Sequence, residues 1–389
     1  MKASPRMDPI TSFIVMDVLE EARGMERAGA DVVHMEVGEP DFAPPAGVTE
    51  AIRRAVDAGH THYTHSLGVV ELREAIAAWY GRQYGVAVDP GCVIVTPGTS
   101  GAFLNAMAVL LSPDEAIAFT DPGYPCYPNF ARLLGLRPVT IPTEPEDAFA
   151  PRRERVTAAI DAGAKALLIA SPANPTGAVV PSDMLRWLAN LPVPLISDEI
   201  YHGLVYCDGG GGTPCVDTAL KHSPDVIVIN GLSKRMAMTG LRIGWAIVPK
   251  ELVRPFQKLN QNLYICADSL GQQGAIAALT DPACEAAARE MRDTYARRRA
   301  VLIAGLRKGG FTLHHEPAGA FYCFADVSRF TDDAFQFSLR MLREAKVAAT
   351  PGVDFGSHRT RAFLRFAYTI DAARIEEGMA RIGKWLGTA

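Results

Sequence analysis

Six short apolar runs punctuate the middle of the chain: VIVT (93–96), AIAF (116–119), ALLIA (166–170), PLIS (194–197), VIVIN (226–230) and IGWAIV (243–248). They carry little alternation of apolar and polar residues, so each reads as a strand buried on both faces. Strands of this kind with helices between them are the pattern of a mostly parallel sheet in an α/β domain. Helical periodicity is clear from Val15 to Arg27, from Val70 to Tyr84 and from Glu285 to Leu306.

The C-terminal third reads differently. FTLHHE (311–316), AFYCFAD (320–326) and AFLRFAYTI (362–370) alternate better, as in a half-exposed sheet packed against helices. A chain of 389 residues exceeds what one hydrophobic core usually serves. The expected organisation is therefore an N-terminal arm over 1–45 that joins a small domain, a large domain over 46–284, and a small α+β domain over 285–389. The glycine-rich stretch Asp208 to Gly212 reads as a surface loop.

Charge and composition narrow the function. A net charge of -4 spread along the chain argues against a nucleic-acid-binding surface. The longest uncharged apolar stretches, such as Ala318 to Ala325, are too short to span a bilayer. Lys2 and Arg6 are followed by Met7, Asp8 and Pro9 rather than by the apolar core of a signal peptide, which points to the cytoplasm. The seven cysteines are odd in number and form no CxxC pair, a spacing that suits reduced thiols and no metal site.

In open parallel sheets, ligands bind at the carboxyl ends of the strands. VIVT runs into PGTSGAF, where Gly98, Thr99, Ser100 and Gly101 open a helix with free N–H groups at its positive end. That is a phosphate seat, or simply a helix cap. ALLIA ends in SPANPTG, which presents Asn174 between two prolines; the plainer reading is a turn. PLIS ends in Asp198, a carboxylate that is costly at a buried strand mouth without a cationic partner, unless it caps a helix. VIVIN ends in GLSKRMAMTGLRIGW. Lys234 lies there among Leu232, Met236 and Met238, surroundings that favour the neutral amine needed for a Schiff base. Arg242, eight residues on, is a guanidinium that a returning chain would bring to a phosphate.

Taken together these blocks resemble the class I/II aminotransferases of the aspartate-aminotransferase superfamily, which share the pyridoxal phosphate (PLP) fold type I. SKRMAMTGLRIGW (233–245) is the most specific, and VGEPDF (37–42), YTHSLGVVELREAIA (63–77), DPGYPCY (121–127), NPTG (174–177), SDEIY (197–201) and FLRFAY (363–368) stand in the family's order. The resemblance implies a seven-stranded-type sheet between helices plus a smaller α+β domain. It implies that Lys234 binds PLP covalently and moves the substrate proton, and that Asp198 pairs with the pyridinium nitrogen. Tyr201 and Asn174 would bond the ring's phenolic oxygen, and Tyr124 would stack on the ring. Gly98, Thr99, Ser100, Ser233 and Arg242 would hold the phosphate. Arg365 would grip the substrate carboxylate, helped by Asn174 and by the backbone at Gly38. Tyr63 resembles the tyrosine that reaches the neighbouring subunit's phosphate, so the implied unit is a homodimer.

Members that take dicarboxylic substrates carry a second cation for the distal carboxylate. At two places where relatives put it, this chain reads Ser100-Gly101 and NLYICADSLG (262–271), without Lys or Arg. Neutral or hydrophobic amino acids are therefore the expected donors, with a 2-oxo acid as acceptor in a ping-pong exchange. The alternative on the same residues is a PLP-dependent C–S β-lyase or related elimination enzyme.

Overall fold

The computed structural model describes residues 1–206 and 216–388. The loop expected at Asp208 to Gly212 lies outside the described residues, as do Cys207 and Cys215. In chain order the strands are β1 (Val33–His34), β2 (Val93–Pro97), β3 (Ala116–Asp121), β4 (Arg137–Pro142), β5 (Ala164–Ala170), β6 (Leu195–Asp198), β7 (Ile227–Gly231), β8 (Ile243–Ile247), β9 (Tyr322–Asp326), β10 (Val347–Ala348), β11 (Thr350–Pro351) and β12 (Phe363–Ala367).

Seven of them form one sheet in the order β2-β8-β7-β6-β5-β3-β4. All pairings are parallel except those of β8, which runs antiparallel to both β2 and β7. Each of the six apolar runs is a strand, and the period of two sends alternate residues to opposite cores. Val93, Val95, Leu167, Ile169 and Val228 pack with Leu72, Ile76 and Trp79 of the helix Val70–Tyr84. Ile94, Ala166, Leu168, Ile227 and Ile229 pack with Phe103 and Met107 of the helix Gly98–Leu110. Both faces are thus apolar, which is why the runs lack alternation. The seventh strand, β4, was not evident in the sequence. Its residues RPVTIP are mostly part-exposed, and its two prolines are tolerated because it pairs on one side only.

The small sheet has the order β11-β12-β9 and is antiparallel. Here the expectation of a half-exposed sheet is overturned, because every residue of β12 is buried. Leu364 and Phe366 enter a core with Tyr295, Leu302 and Leu306 of the helix Pro282–Lys308 and with Ile375 and Ile382 of the helix Ala372–Leu386. Phe363 stacks on Phe324 at 4.6 Å on the other face, where both meet Phe149. The alternation reflects a sheet covered on both sides, with Arg365 among the buried residues. FTLHHE is not a strand; Thr312 alone bridges Asp326.

The N-terminal segment lies against this smaller core. β1 pairs in parallel with β10, Val33 and Met35 contribute to the core, and Ala367 N–H donates to Met35 O at 2.7 Å. Among the described residues no helix is long and apolar enough to cross a membrane.

Candidate active site

The carboxyl ends of β5 and β6 and the turns after β2, β3 and β7 open onto one cleft with about 830 Å³ of empty space. The chain reverses sharply on leaving β2. Gly98 adopts φ +68°, and a Cβ there would fall 2.5 Å from Arg242 Nη2. Gly98 N–H donates to Arg242 O at 2.8 Å, so the start of the helix Gly98–Leu110 and the end of the β7–β8 loop are tied together. No side chain caps this helix. The cap reading of Thr99 and Ser100 therefore fails, and the first-turn N–H groups after that of Gly98 stay available beside the Arg242 guanidinium.

Lys234 follows β7 and is part-buried, its ammonium donating to Gly38 O at 2.7 Å. Burial is the main cause that pulls its amine down to about 8, against the opposing pull of Glu39. Asp198 ends β6 and is also buried. Its carboxylate accepts from Tyr127 Oη and, at 3.0 Å, from Ile200 N–H. Burial pushes its carboxyl up to about 6, with Tyr127 and the Ile200 N–H pulling the other way. No Lys, Arg or His among the described residues forms an ion pair with it.

Arg365 lies on β12 and is 2% exposed. Its Nη1 donates to Asn174 Oδ1 at 2.9 Å and its Nη2 to Glu36 O and, at 3.2 Å, to Thr350 Oγ1. The guanidinium stacks between Tyr322 and Phe355, 4.3 Å and 4.8 Å from their ring centres. No carboxylate among the described residues pairs with it, so a buried cation faces the cleft with its charge uncompensated. Tyr322 Oη lies 2.7 Å from Tyr201 Oη.

The family model for class I and II aminotransferases matches residues 30–382. The chain belongs to this aminotransferase family. It is 39% identical over 381 residues to a valine–pyruvate aminotransferase of Mycobacterium tuberculosis, covering 97% of each chain. It is 36% identical to an aspartate/prephenate aminotransferase of Thermus thermophilus, covering 99% of each. Among solved structures, an aminotransferase from M. tuberculosis superposes with a TM-score of 0.95 at 38% identity, covering all of both chains. The aspartate aminotransferase from T. thermophilus with maleate gives 0.92 at 34% identity, covering 99% of each chain.

In this aminotransferase, Gly38, Thr99, Tyr124, Asn174, Asp198, Tyr201, Lys234 and Arg365 all line the cleft. Gly98 and Arg242 do not line it; they are tied to each other, with Gly98 next in the chain to the lining residue Thr99. Ser100 and Ser233 are part-buried and buried near the same two turns but do not line it. Tyr63 is 78% exposed and lies outside its own chain's cleft. Other lining residues went unnoticed in the sequence. Tyr127 lies in the first turn of the helix Cys126–Leu133, and its N–H donates to Tyr124 O at 3.2 Å, a turn that brings both rings to the cleft. Tyr322 shares β9 with apolar neighbours and gives no polar signal. Phe13, Val15 and Met16 wall the cleft from the start of the helix Ile14–Arg27, whose first N–H groups bond Asp354 at 2.8 Å and 3.3 Å.

Proposed function

We propose that the protein is a PLP-dependent transaminase that exchanges an amino group between a neutral or hydrophobic amino acid and a 2-oxo acid in two half-reactions. The observation that carries this reading is Lys234. It is a part-buried amine with a lowered pKa, set between a buried carboxyl, Asp198, and a buried guanidinium without a carboxylate partner, Arg365.

The residues fit PLP on three counts. Asp198 is a buried carboxyl without a cation, which a protonated ring nitrogen would supply. The uncapped helix start beside Arg242 suits a phosphate, with Gly98, Thr99, Ser100 and Ser233 around it. Tyr201 and Asn174 present polar groups, and Tyr124 a ring, from the walls between. When bound, PLP supplies the electron sink and carries the amino group between the two half-reactions.

The chain's own groups then have distinct tasks. Arg365 with Asn174 anchors the substrate carboxylate, and the Gly38 carbonyl holds the Lys234 amine until substrate arrives. Lys234, neutral at working pH in a good fraction of molecules, binds the cofactor and takes and returns the substrate's α-proton. Asp198 holds a proton at the ring nitrogen. Phe13, Val15 and Met16 exclude water from the side-chain end of the cleft.

Substrate preference follows from charge. Lys234 and Arg365 are the cations among the residues that this chain contributes to the lining, which leaves none for a distal carboxylate. The name of the valine–pyruvate relative supports the same preference. Tyr63 and Ile265 are exposed apolar side chains on loops joined by the Thr64 N–H and Cys266 Sγ, and Leu263 is exposed at the end of the helix Val253–Leu263. They support a homodimer in which Tyr63 serves the neighbouring site.

The test is the visible absorption spectrum of the protein with PLP, before and after single amino acids are added without an oxo acid. Neutral apolar donors are expected to bleach the band, and Lys234→Ala to fold without forming it. Pyruvate and ammonia released from cysteine or cystathionine, with the band regenerated, would replace this reading with the lyase.

A further inference from the structure

Tyr322 has no part in the roles set out above, yet it touches three of the groups that do. Its ring carries the Arg365 guanidinium at 4.3 Å, and its hydroxyl lies 2.7 Å from that of Tyr201. Gly38 completes the arrangement: a Cβ at that position would stand 2.2 Å from Tyr322 Oη, so only glycine leaves the hydroxyl its place. The side chain is 1% exposed and sits on β9, directly beside β12, which carries Arg365.

We infer that Tyr322 is a positioning residue that joins the carboxylate seat to the seat of the cofactor's ring oxygen, an assignment that rests on the PLP reading. Its aromatic face holds Arg365 in the plane needed for a two-point grip. Its hydroxyl donates to Tyr201 Oη, which turns the proton of Tyr201 away from Tyr322 and toward the cleft.

The direction of donation follows from the stacked charge. A guanidinium lying on a phenol draws electron density from it and makes its O–H the better donor. Arg365 acts on Tyr322 in that sense, pulling against the rise that burial causes. Tyr201 is pushed up by burial and further by Tyr322, so its own proton is the more firmly held. With its oxygen already accepting from Tyr322, that proton is directed to an acceptor in the cleft. A substrate carboxylate that neutralises Arg365 weakens this polarisation, so the state of one seat is felt at the other.

The test uses the holoenzyme and two readouts besides turnover: the pH titration of the cofactor's visible band, and the affinity for a non-reacting carboxylate, 4-methylpentanoate, measured by calorimetry. Tyr322→Phe keeps the ring and loses the hydroxyl. It is expected to raise the pKa of the band by about one unit, the scale of one hydrogen bond to a charged acceptor, with carboxylate affinity changed less than about twofold. Tyr322→Leu removes the face as well and should weaken carboxylate binding by about tenfold, the scale of a buried cation–π contact. In Tyr201→Phe, the added Tyr322→Phe change should shift the band no further, because the two hydroxyls act in series.

An unchanged titration in Tyr322→Phe, or additive shifts in the double variant, would overturn the assignment even if Tyr322→Leu fails to fold. A wild-type protein that forms no visible band with PLP would instead overturn the cofactor reading beneath it.

Discussion

Asp198→Asn should make the cofactor-free protein more stable while removing its function. The carboxyl is 4% exposed, and burial raises it from 3.8 to about 6. Between those values the folded chain holds a proton that the unfolded chain has released, so stability falls as pH rises through the window. Above pH 6 the ionised group has cost the folded state about 3 kcal/mol, from roughly two pKa units at 1.36 kcal/mol each. Asparagine has the same shape. Its carbonyl still accepts from Ile200 N–H, and its amide donates to Tyr127 Oη once that hydroxyl rotates. The variant should therefore gain stability over wild type progressively from pH 4 to 6 and hold a gain of about 1–3 kcal/mol at pH 7.5. Urea unfolding of both proteins, stripped of cofactor, at pH 4.5 and 7.5 measures it. A variant less stable than wild type at pH 7.5, or a difference that does not change with pH, would refute the reasoning. With PLP added the order should reverse, since the carboxylate then has its cation.

Two further outcomes are expected. Arg365→Lys keeps the charge but gives up the planar fork and two bonds to Asn174 and Glu36; kcat/KM should fall about 30- to 150-fold, or 2–3 kcal/mol, and a fall under threefold would count against the carboxylate role. His34 is raised to about 9, first by its bond to Glu36, so its contribution to stability is complete below pH 6.5 and is lost as pH rises through 9. The stability difference between wild type and His34→Gln should shrink between pH 7 and pH 10 in urea unfolding, and a constant difference would argue against the pair.

The fold was legible where burial on both faces left a continuous apolar signature. The six runs and the long helices needed no tertiary information. RPVTIP was hidden because an edge strand with one neighbour is half solvated and tolerates proline, so its composition is that of a loop. AFLRFAYTI misled in the opposite direction. Its alternation was genuine, but the polar position is Arg365, which faces a cleft rather than water. No local pattern separates the two cases, because what covers Arg365 is Tyr322 and Phe355 from other segments.

The site divides along the same line. Lys234, Asp198, Asn174 and the turn at Gly98 follow strands directly, and topology alone sends them to one rim. Phe13, Val15 and Met16 reach that rim through Asp354, some 340 residues away in sequence. Such a contact leaves no trace in spacing. The role of Gly38 was also read too narrowly, since the space it leaves is occupied by a hydroxyl of this chain.

The reversed strand β8 decides when the proposed phosphate seat can form. Residues 95 and 245 are paired in register, so the bond from Gly98 to Arg242 forms only after the intervening chain has been made and folded. A growing chain halted before residue 243 has β2 as an unpaired edge and Arg242 without its anchor. On the proposed reading, a partly built chain would have Lys234 and Asp198 but would lack the tie that sets Arg242 beside the helix start, so phosphate affinity would rise on completion. Closing contacts this distant also form slowly. A cofactor held there would favour finished molecules and stabilise them by mass action.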